Sequence, residues 1–188
     1  MSANPSERPG ARLDLVVRDA RAEDLATVQA IYAHYVTTSL ATFEEIVPDR
    51  DEIARRYASL VEQGFPYLVA EGAGRVIGFA YASLYRTRTA YRYTVEDSVY
   101  VDRTAQRQGI GRVLLAALIE RAAERGYRQM IAAIGDSANQ ASIGVHAALG
   151  FRMIGRLESV GFKFGRWVDA VLMQRTLGPG GTAPPNRG

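Results

Sequence analysis

Gln106-Arg107-Gln108-Gly109-Ile110-Gly111-Arg112 is the stretch whose reading settles how this chain folds. It follows a segment, Thr94 to Val101, that reads as a strand, and it leads into a helical pattern, Gly111 to Arg125. Glycines at 109 and 111 carry no Cβ, so an anion can approach the backbone closely. The free N–H groups and the dipole of the following helix start favour negative charge there. Three readings compete. A P-loop needs Lys and then Ser or Thr after its second glycine, whereas Arg112 and Val113 stand here. A dinucleotide turn needs a third glycine at 114, where the chain has Leu114. The third reading is a tight strand-to-helix turn with no ligand, and spacing alone does not remove it.

Working outward, Leu13 to Arg18 alternates and predicts a first strand. Glu23 and Asp24 suit a helix N-terminus, and Leu25, Val28, Ile31, Tyr32, Tyr35 and Val36 supply an apolar stripe at helical spacing. Pro48, Asp49, Asp51 and Glu52 open a second helix over 49–62, closed by Gly64. Tyr67 to Glu71 and Val76 to Tyr85 flank Gly72-Ala73-Gly74 as a hairpin. In the helix after the glycine turn, Val113, Leu114, Ala117, Leu118 and Ala122 are expected to face inward, with Gly126 as its stop. Met130 to Ile134 is a short strand, Asn139 to Leu149 a helix stopped by Gly150, and Phe151 to Leu157 and Trp167 to Arg175 a final strand pair. The order β-α-α-β-β-β-α-β-α-β-β predicts an α/β domain with a mixed central sheet and a crossover from 94 to 134. Residues 1–11 read as a disordered leader, 12–177 as one domain and 178–188 as a flexible tail.

Composition narrows the functions on offer. At 188 residues, 47% hydrophobic and 23% charged, the chain suits one soluble domain. Its longest apolar runs fall far short of the roughly 20 residues of a membrane span, and its polar N-terminal residues lack a signal peptide's apolar segment. A cytoplasmic protein with no membrane partner is expected. There is no cysteine, which excludes disulfides, thiolate metal sites and a cysteine nucleophile. With His34 and His146 the only histidines, no metal is expected. The net charge is +3, and acids are interspersed among the many arginines, so no nucleic-acid partner is expected.

The segment SVYVD, the turn QRQGIG and the Ala/Leu-rich helix together resemble the acetyl-CoA signature of the GCN5-related N-acetyltransferases. Asn139, Ser142 three residues on, His146 at seven, where that superfamily often has a Tyr, and Leu149-Gly150-Phe151 extend the likeness over residues 13–175. The resemblance implies the acyl-CoA N-acyltransferase fold and acetyl-CoA as acetyl donor. It implies pairing of the donor's pantetheine arm with the backbone of Val99, Tyr100 and Val101. A pyrophosphate cradle would run over Arg107, Gln108, Gly109, Ile110, Gly111 and Arg112, with contacts from Asn139 and Ser142.

Arg86-Thr87-Arg88-Thr89-Ala90-Tyr91-Arg92-Tyr93-Thr94-Val95-Glu96 is similar to the phosphinothricin and methionine-derivative N-acetyltransferases. Acetyl transfer needs an amine stripped of a proton, a stabilised oxyanion and a leaving thiolate that is tolerated or protonated. With no cysteine relay, direct attack is expected. The resemblance implies Glu96 as base and His146 as second catalytic residue, for the thiolate or for the amine. Backbone N–H groups near Ser98 to Tyr100 would serve the oxyanion. Arg86, Arg88 and Tyr91 would hold an acidic acceptor, arginine forks suiting carboxylate and phosphinate, and Phe43 would line its site. His34 carries no such context and reads as structural or solvated. Polyamines, aminoglycosides and protein N-termini are the other amine acceptors, the cationic ones disfavoured by the arginines. A silent acyl-CoA-binding module is the non-enzymatic alternative. The subfamily also implies a homodimer.

Overall fold

Strands β1 (Val16–Asp19), β2 (Tyr67–Gly72), β3 (Arg75–Leu84), β4 (Thr94–Val101), β5 (Gln129–Gly135), β6 (Arg152–Lys163) and β7 (Arg166–Thr176) form one sheet in the computed structural model, which describes residues 15–185. Four helices accompany them: α1 (Leu25–Thr38), α2 (Arg50–Glu62), α3 (Ile110–Glu124) and α4 (Gln140–Ala148). The element order and the mixed α/β class are those expected from the sequence. Of the predicted first strand, Leu13 and Asp14 lie outside the described residues, as do the leader and residues 186–188.

The strands run in the order β1-β2-β3-β4-β5-β7-β6, and β4 with β5 is the parallel pair. A parallel neighbour requires a crossover, and α3 supplies it. Each face of the sheet has its own core. On one, Leu114, Leu115, Leu118 and Ala122 of α3 pack on Val95, Met130, Ala132 and Met173. On the other, Val28, Ile31, Tyr32 and Val36 of α1 and Ile53 of α2 cover Tyr67, Val69, Phe79 and Tyr100. Side chains alternate along a strand. Even-numbered residues of β4 therefore look toward α1 and α2, and odd-numbered ones toward α3 and α4.

Asp49 caps α2 by accepting from the Glu52 N–H at 2.7 Å, as its sequence context suggests. Helix α3 corrects one expectation. Val113 is exposed, while Leu115 and Ile119 are buried beside Leu114, Leu118 and Ala122. The apolar stripe is wide enough to admit either phase, and docking on β2, β3 and β4 selects the one that turns Val113 outward. Strand β6 runs well past its predicted inner end, to Lys163, whereas β7 keeps its predicted span to within one residue at each end. Gly155, Ser159 and Gly161 interrupt the apolar alternation, and register shifts at Met153/Gly155 and Leu157/Gly161 absorb them without ending the strand. The tail folds back at least in part, since Arg128 donates to the carbonyls of Gly180 (3.4 Å) and Pro184 (3.3 Å).

Candidate active site

Strands β4 and β5 pair only over Thr94–Gln129, Val95–Met130 and Glu96–Ile131, and then part. Into that opening runs a groove of about 520 Å³, lined by β4, the glycine turn, α3 and α4. The α1–α2 connection roofs it with Ser39, Leu40 and Ala41. An added Cβ on Gly135 would lie 2.1 Å from the Leu40 carbonyl oxygen, so only glycine lets the roof cross the end of β5.

Gly109 stands at the N-cap of α3 with φ 80°, in the left-handed region that suits glycine. An added Cβ there meets nothing within 4 Å, so the residue serves backbone shape and approach rather than packing. Arg107 shares the left-handed region at φ 61°, an unfavourable conformation for a side-chain-bearing residue. The alternation presents successive N–H groups as an anion-binding nest at the helix start. Among the predicted cradle residues, Arg107, Gly109, Ile110, Gly111 and Arg112 line the groove. Gln108 is exposed and reaches toward the Thr104 carbonyl at 3.5 Å.

Of the three β4 residues expected to offer backbone to a ligand, geometry singles out Val99. The Tyr35 hydroxyl donates to the Val101 carbonyl at 2.8 Å and accepts from the Val101 N–H at 3.3 Å. Those groups therefore point away from β3 and are already occupied. Alternation directs the peptide groups of Val99 the same way, into the gap that β5 has left, and those of Tyr100 toward Phe79 of β3. Tyr35 was not singled out in the sequence beyond its place on a helical stripe. It also accepts from Gln106 Nε2 at 3.3 Å and so ties α1 to both β4 and the glycine turn.

Glu96 is even-numbered and faces the α1–α2 side, at the last pair before the strands separate. Burial raises its carboxyl above the usual range, the charge of neighbouring Asp97 adds to this, and Arg86 opposes it. On the same face, register places Ser83 opposite Glu96 and Tyr81 opposite Ser98. Of these, Tyr81 and Ser83 border a second cavity, of about 470 Å³, lined also by Tyr32, Tyr67 and Arg56. Burial pushes the Tyr32 phenol up to about 12 and raises that of Tyr81. Both therefore remain neutral hydrogen-bond donors.

His146 lies on the opposite face, toward the groove, and is 5% exposed. Its Nδ1 is 2.8 Å from the Ser142 carbonyl and its Nε2 3.0 Å from Asp97 Oδ2. Burial alone would pull its pKa down. The hydrogen bond and charge of Asp97, with the Ser142 carbonyl, outweigh this and hold it above the ordinary 6.5. Asn139 caps α4 by accepting from the Ser142 N–H at 3.2 Å, and both residues line the groove.

A family model described as an acetyltransferase (GNAT) domain matches residues 17–172. This chain belongs to the GNAT acetyltransferase family. A phosphinothricin N-acetyltransferase of Alcaligenes faecalis is 54% identical over 93% of the chain and 89% of the relative. An L-methionine sulfoximine/L-methionine sulfone acetyltransferase of Pseudomonas aeruginosa is 43% identical over 89% of the chain and 98% of the relative. The crystal structure of a GNAT superfamily phosphinothricin acetyltransferase from Sinorhizobium meliloti in complex with AcCoA superimposes with a TM-score of 0.90. It is 46% identical, covering 93% of this chain and 94% of that one.

For a GNAT enzyme the groove fits an acyl-CoA. It has an open backbone strand, a glycine-lined anion nest, and two exposed guanidiniums, Arg107 and Arg112, beside it. The remaining predicted residues are spread more widely. Arg86 stacks its guanidinium over the Tyr85 ring at 5.1 Å and is close enough to influence Glu96. Arg88 is exposed ahead of a short 3-10 turn, Thr89–Tyr91, and Tyr91 meets Tyr85 edge-on at 5.7 Å. Phe43 packs against Gly161 of β6, where an added Cβ would fall 2.2 Å from its ring. His34 meets Tyr35 edge-on at 5.8 Å on α1, away from the groove lining.

Two buried ionic groups near the site went unread in the sequence. Asp97 partners His146 from 49 positions away, a separation that leaves no motif. Lys163 is 1% exposed and donates to the carbonyls of Ser39 (2.9 Å) and Thr42 (2.8 Å), pinning the roof of the groove to β6. Its one available signal was being the single lysine among 23 basic residues. Among the described residues, no three His, Cys, Asp or Glu side chains gather as a metal site, and no helix is long and apolar enough to cross a membrane.

Proposed function

We propose that this enzyme transfers the acetyl group of acetyl-CoA directly to the α-amine of a small, anionic, amino-acid-like acceptor of the phosphinothricin, methionine sulfone or methionine sulfoximine type. The observation that carries the reading is Glu96. It is a carboxyl raised by burial, standing at the last pair before β4 leaves β5, on the face opposite His146 and across from Ser83, which lines the tyrosine-walled cavity. Acetyl-CoA supplies an activated thioester carbonyl when bound. Arg107, Arg112 and the N–H groups at the start of α3 hold its phosphates, and the Val99 backbone aligns its arm, flanked by Tyr100 and Val101. Glu96 takes the proton of the acceptor ammonium, directly or through a water, and its raised pKa brings it closer to that task at neutral pH. The Val99 N–H, unspent in the sheet, faces the developing oxyanion. Arg86 and Arg88, with Tyr91, receive the acceptor's acidic groups, and Phe43 shapes the rim. His146 handles the proton of the departing thiolate.

The enzyme is a homodimer in this reading. The edge hairpin of β6 and β7 exposes Met153, Leu157, Val160, Phe162 and Trp167, a band that a second copy would cover. A cytoplasmic setting follows from the donor, a polyanion that does not cross membranes unaided.

The test is an acceptor panel with acetyl-CoA, scored by the mass of the product. N-acetylation of phosphinothricin and methionine sulfone, well above that of spermidine or a peptide N-terminus, is expected. Preference for a cationic or peptide amine would overturn the acceptor class. Tight acetyl-CoA binding with no product from any amine would leave the silent module.

A further inference from the structure

The buried pair of Asp97 and His146 has a protonation pattern dictated by its neighbours. A carbonyl oxygen only accepts, so the 2.8 Å contact with Ser142 O requires a proton on Nδ1. An ionised Asp97 also only accepts, so with the carboxylate in that form the 3.0 Å contact of Nε2 with Oδ2 carries a second ring proton. The geometry is that of an imidazolium held against a carboxylate, with Asp97 only 8% exposed.

Asp97 Oδ1 is buried and has no hydrogen-bond partner among the described residues. It borders a crevice of about 60 Å³ between the separating strands, lined also by Ala41, Val99, Asn139, Ser142 and His146. The last five also line the groove, so the crevice is its inner end. That space admits water, and the polar atoms around it supply the partners that buried water requires. No other titratable side chain contributes at His146: Asp97 faces it from β4, Ser142 lies on its own helix, and the Phe151 ring meets it edge-on at 5.0 Å. Asp97 itself has His146 before it and Glu96 next to it on the other face of β4.

We propose that Asp97 is a positioning residue that keeps His146 doubly protonated, making the pair and its crevice water the proton source for the sulfur released during acetyl transfer. This rests on the acetyl-transfer reading of the site. When the carbon–sulfur bond breaks, its electron pair stays on sulfur, and the proton lost by the amine has gone to Glu96. Nε2 gives its proton to Asp97, and the crevice water held on Asp97 gives one of its own protons to the thiolate and takes the carboxyl proton in exchange. The pair, left with one net negative charge, regains a proton from solvent along the groove. An ordinary histidine is mostly neutral at pH 7, and a thiol's pKa lies near 8.5. A raised imidazolium is thus both more populated and closer matched to the group it protonates.

The first measurement needs no turnover. In ligand-free, ¹⁵N-labelled chain, His146 is expected to show both ring nitrogens protonated at pH 7. In Asp97→Asn the new amide donates to Nε2, and the ring becomes neutral at that pH. In kinetics, D97N shifts the basic limb of the kcat profile to lower pH and lowers kcat by about tenfold at pH 8, with the KM for acetyl-CoA within about twofold of wild type. A neutral His146 ring in the wild type at pH 7 overturns the proposal, even where D97N does not fold. So does a uniform loss of rate in D97N with the basic limb unmoved, which marks a merely structural role. Failure of the wild type to release thiol with any acceptor would sink the transfer reading itself, and the ring titration distinguishes that case.

Discussion

At Glu96 the surroundings act in opposite directions. Burial and the adjacent Asp97 charge penalise the carboxylate, and Arg86 relieves part of that penalty. The folded state therefore releases this proton at higher pH than the unfolded chain, whose ordinary value is 4.5. The sign follows from linkage. The unfolded chain binds fewer protons between the two values, so this residue's contribution to stability falls as pH rises from about 4.5 through the raised value. Glu96→Gln removes that cost. We expect the variant to melt higher than wild type at pH 8 and to show a smaller gap at pH 4, as measured by thermal denaturation in the two buffers. Equal melting at both values would mean that the carboxylate is not strained by its site. The place of Glu96 on β4 was legible because a strand residue just ahead of a recognisable turn has a fixed position. The pairing of Asp97 was not. Its partner, His146, lies 49 residues on, on a helix brought near only by the packing of α4 beside the sheet.

Between elements, the decisive feature is the separation of β4 from β5 and the roof laid over it. The glycine turn, the crossover and both flanking helices could be read from periodicity and stop signals, which are local. The separation depends on where pairing ends, and no local pattern encodes the partner's departure. The roof is equally nonlocal. Lys163 reaches Ser39 and Thr42 across more than a hundred residues, Gly161 makes room for Phe43, and Gly135 makes room for Leu40. An ammonium on a slim stem enters such a niche more readily than the broad guanidinium used elsewhere in the chain. Lys163→Met keeps the stem and removes the donor, leaving two carbonyls unsatisfied. We expect a loss of ~1–3 kcal/mol in chemical denaturation. The Michaelis constants for donor and acceptor should both rise, because the same loop roofs the groove and presents Phe43. Unchanged constants in a destabilised K163M would show the loop to be held in place without it.

For the molecule as a whole, the β6–β7 hairpin stands apart from the rest of the surface. Trp167 is 67% exposed, and Phe162 meets it edge-on at 5.3 Å on the neighbouring strand. Sequence alternation ends β6 at Leu157, so the length of this apolar edge is hidden by the glycines that bulge within it. We expect sedimentation at twice the chain mass, and a shift toward the monomer for Trp167→Glu with Phe162→Glu. A wild-type monomer at micromolar concentration would contradict the dimer. The groove enters where β4 parts from β5, and Glu96 stands at that parting on the sheet face that carries the tyrosine-lined cavity, which is the arrangement proposed to set one carboxyl between donor and acceptor. The most direct test of that arrangement is the rate of thiol release from saturating acetyl-CoA with phosphinothricin as acceptor, wild type beside Glu96→Gln. The account predicts steady release by the wild type and a fall of about 10²- to 10⁴-fold in the variant; equal rates for the two would contradict it.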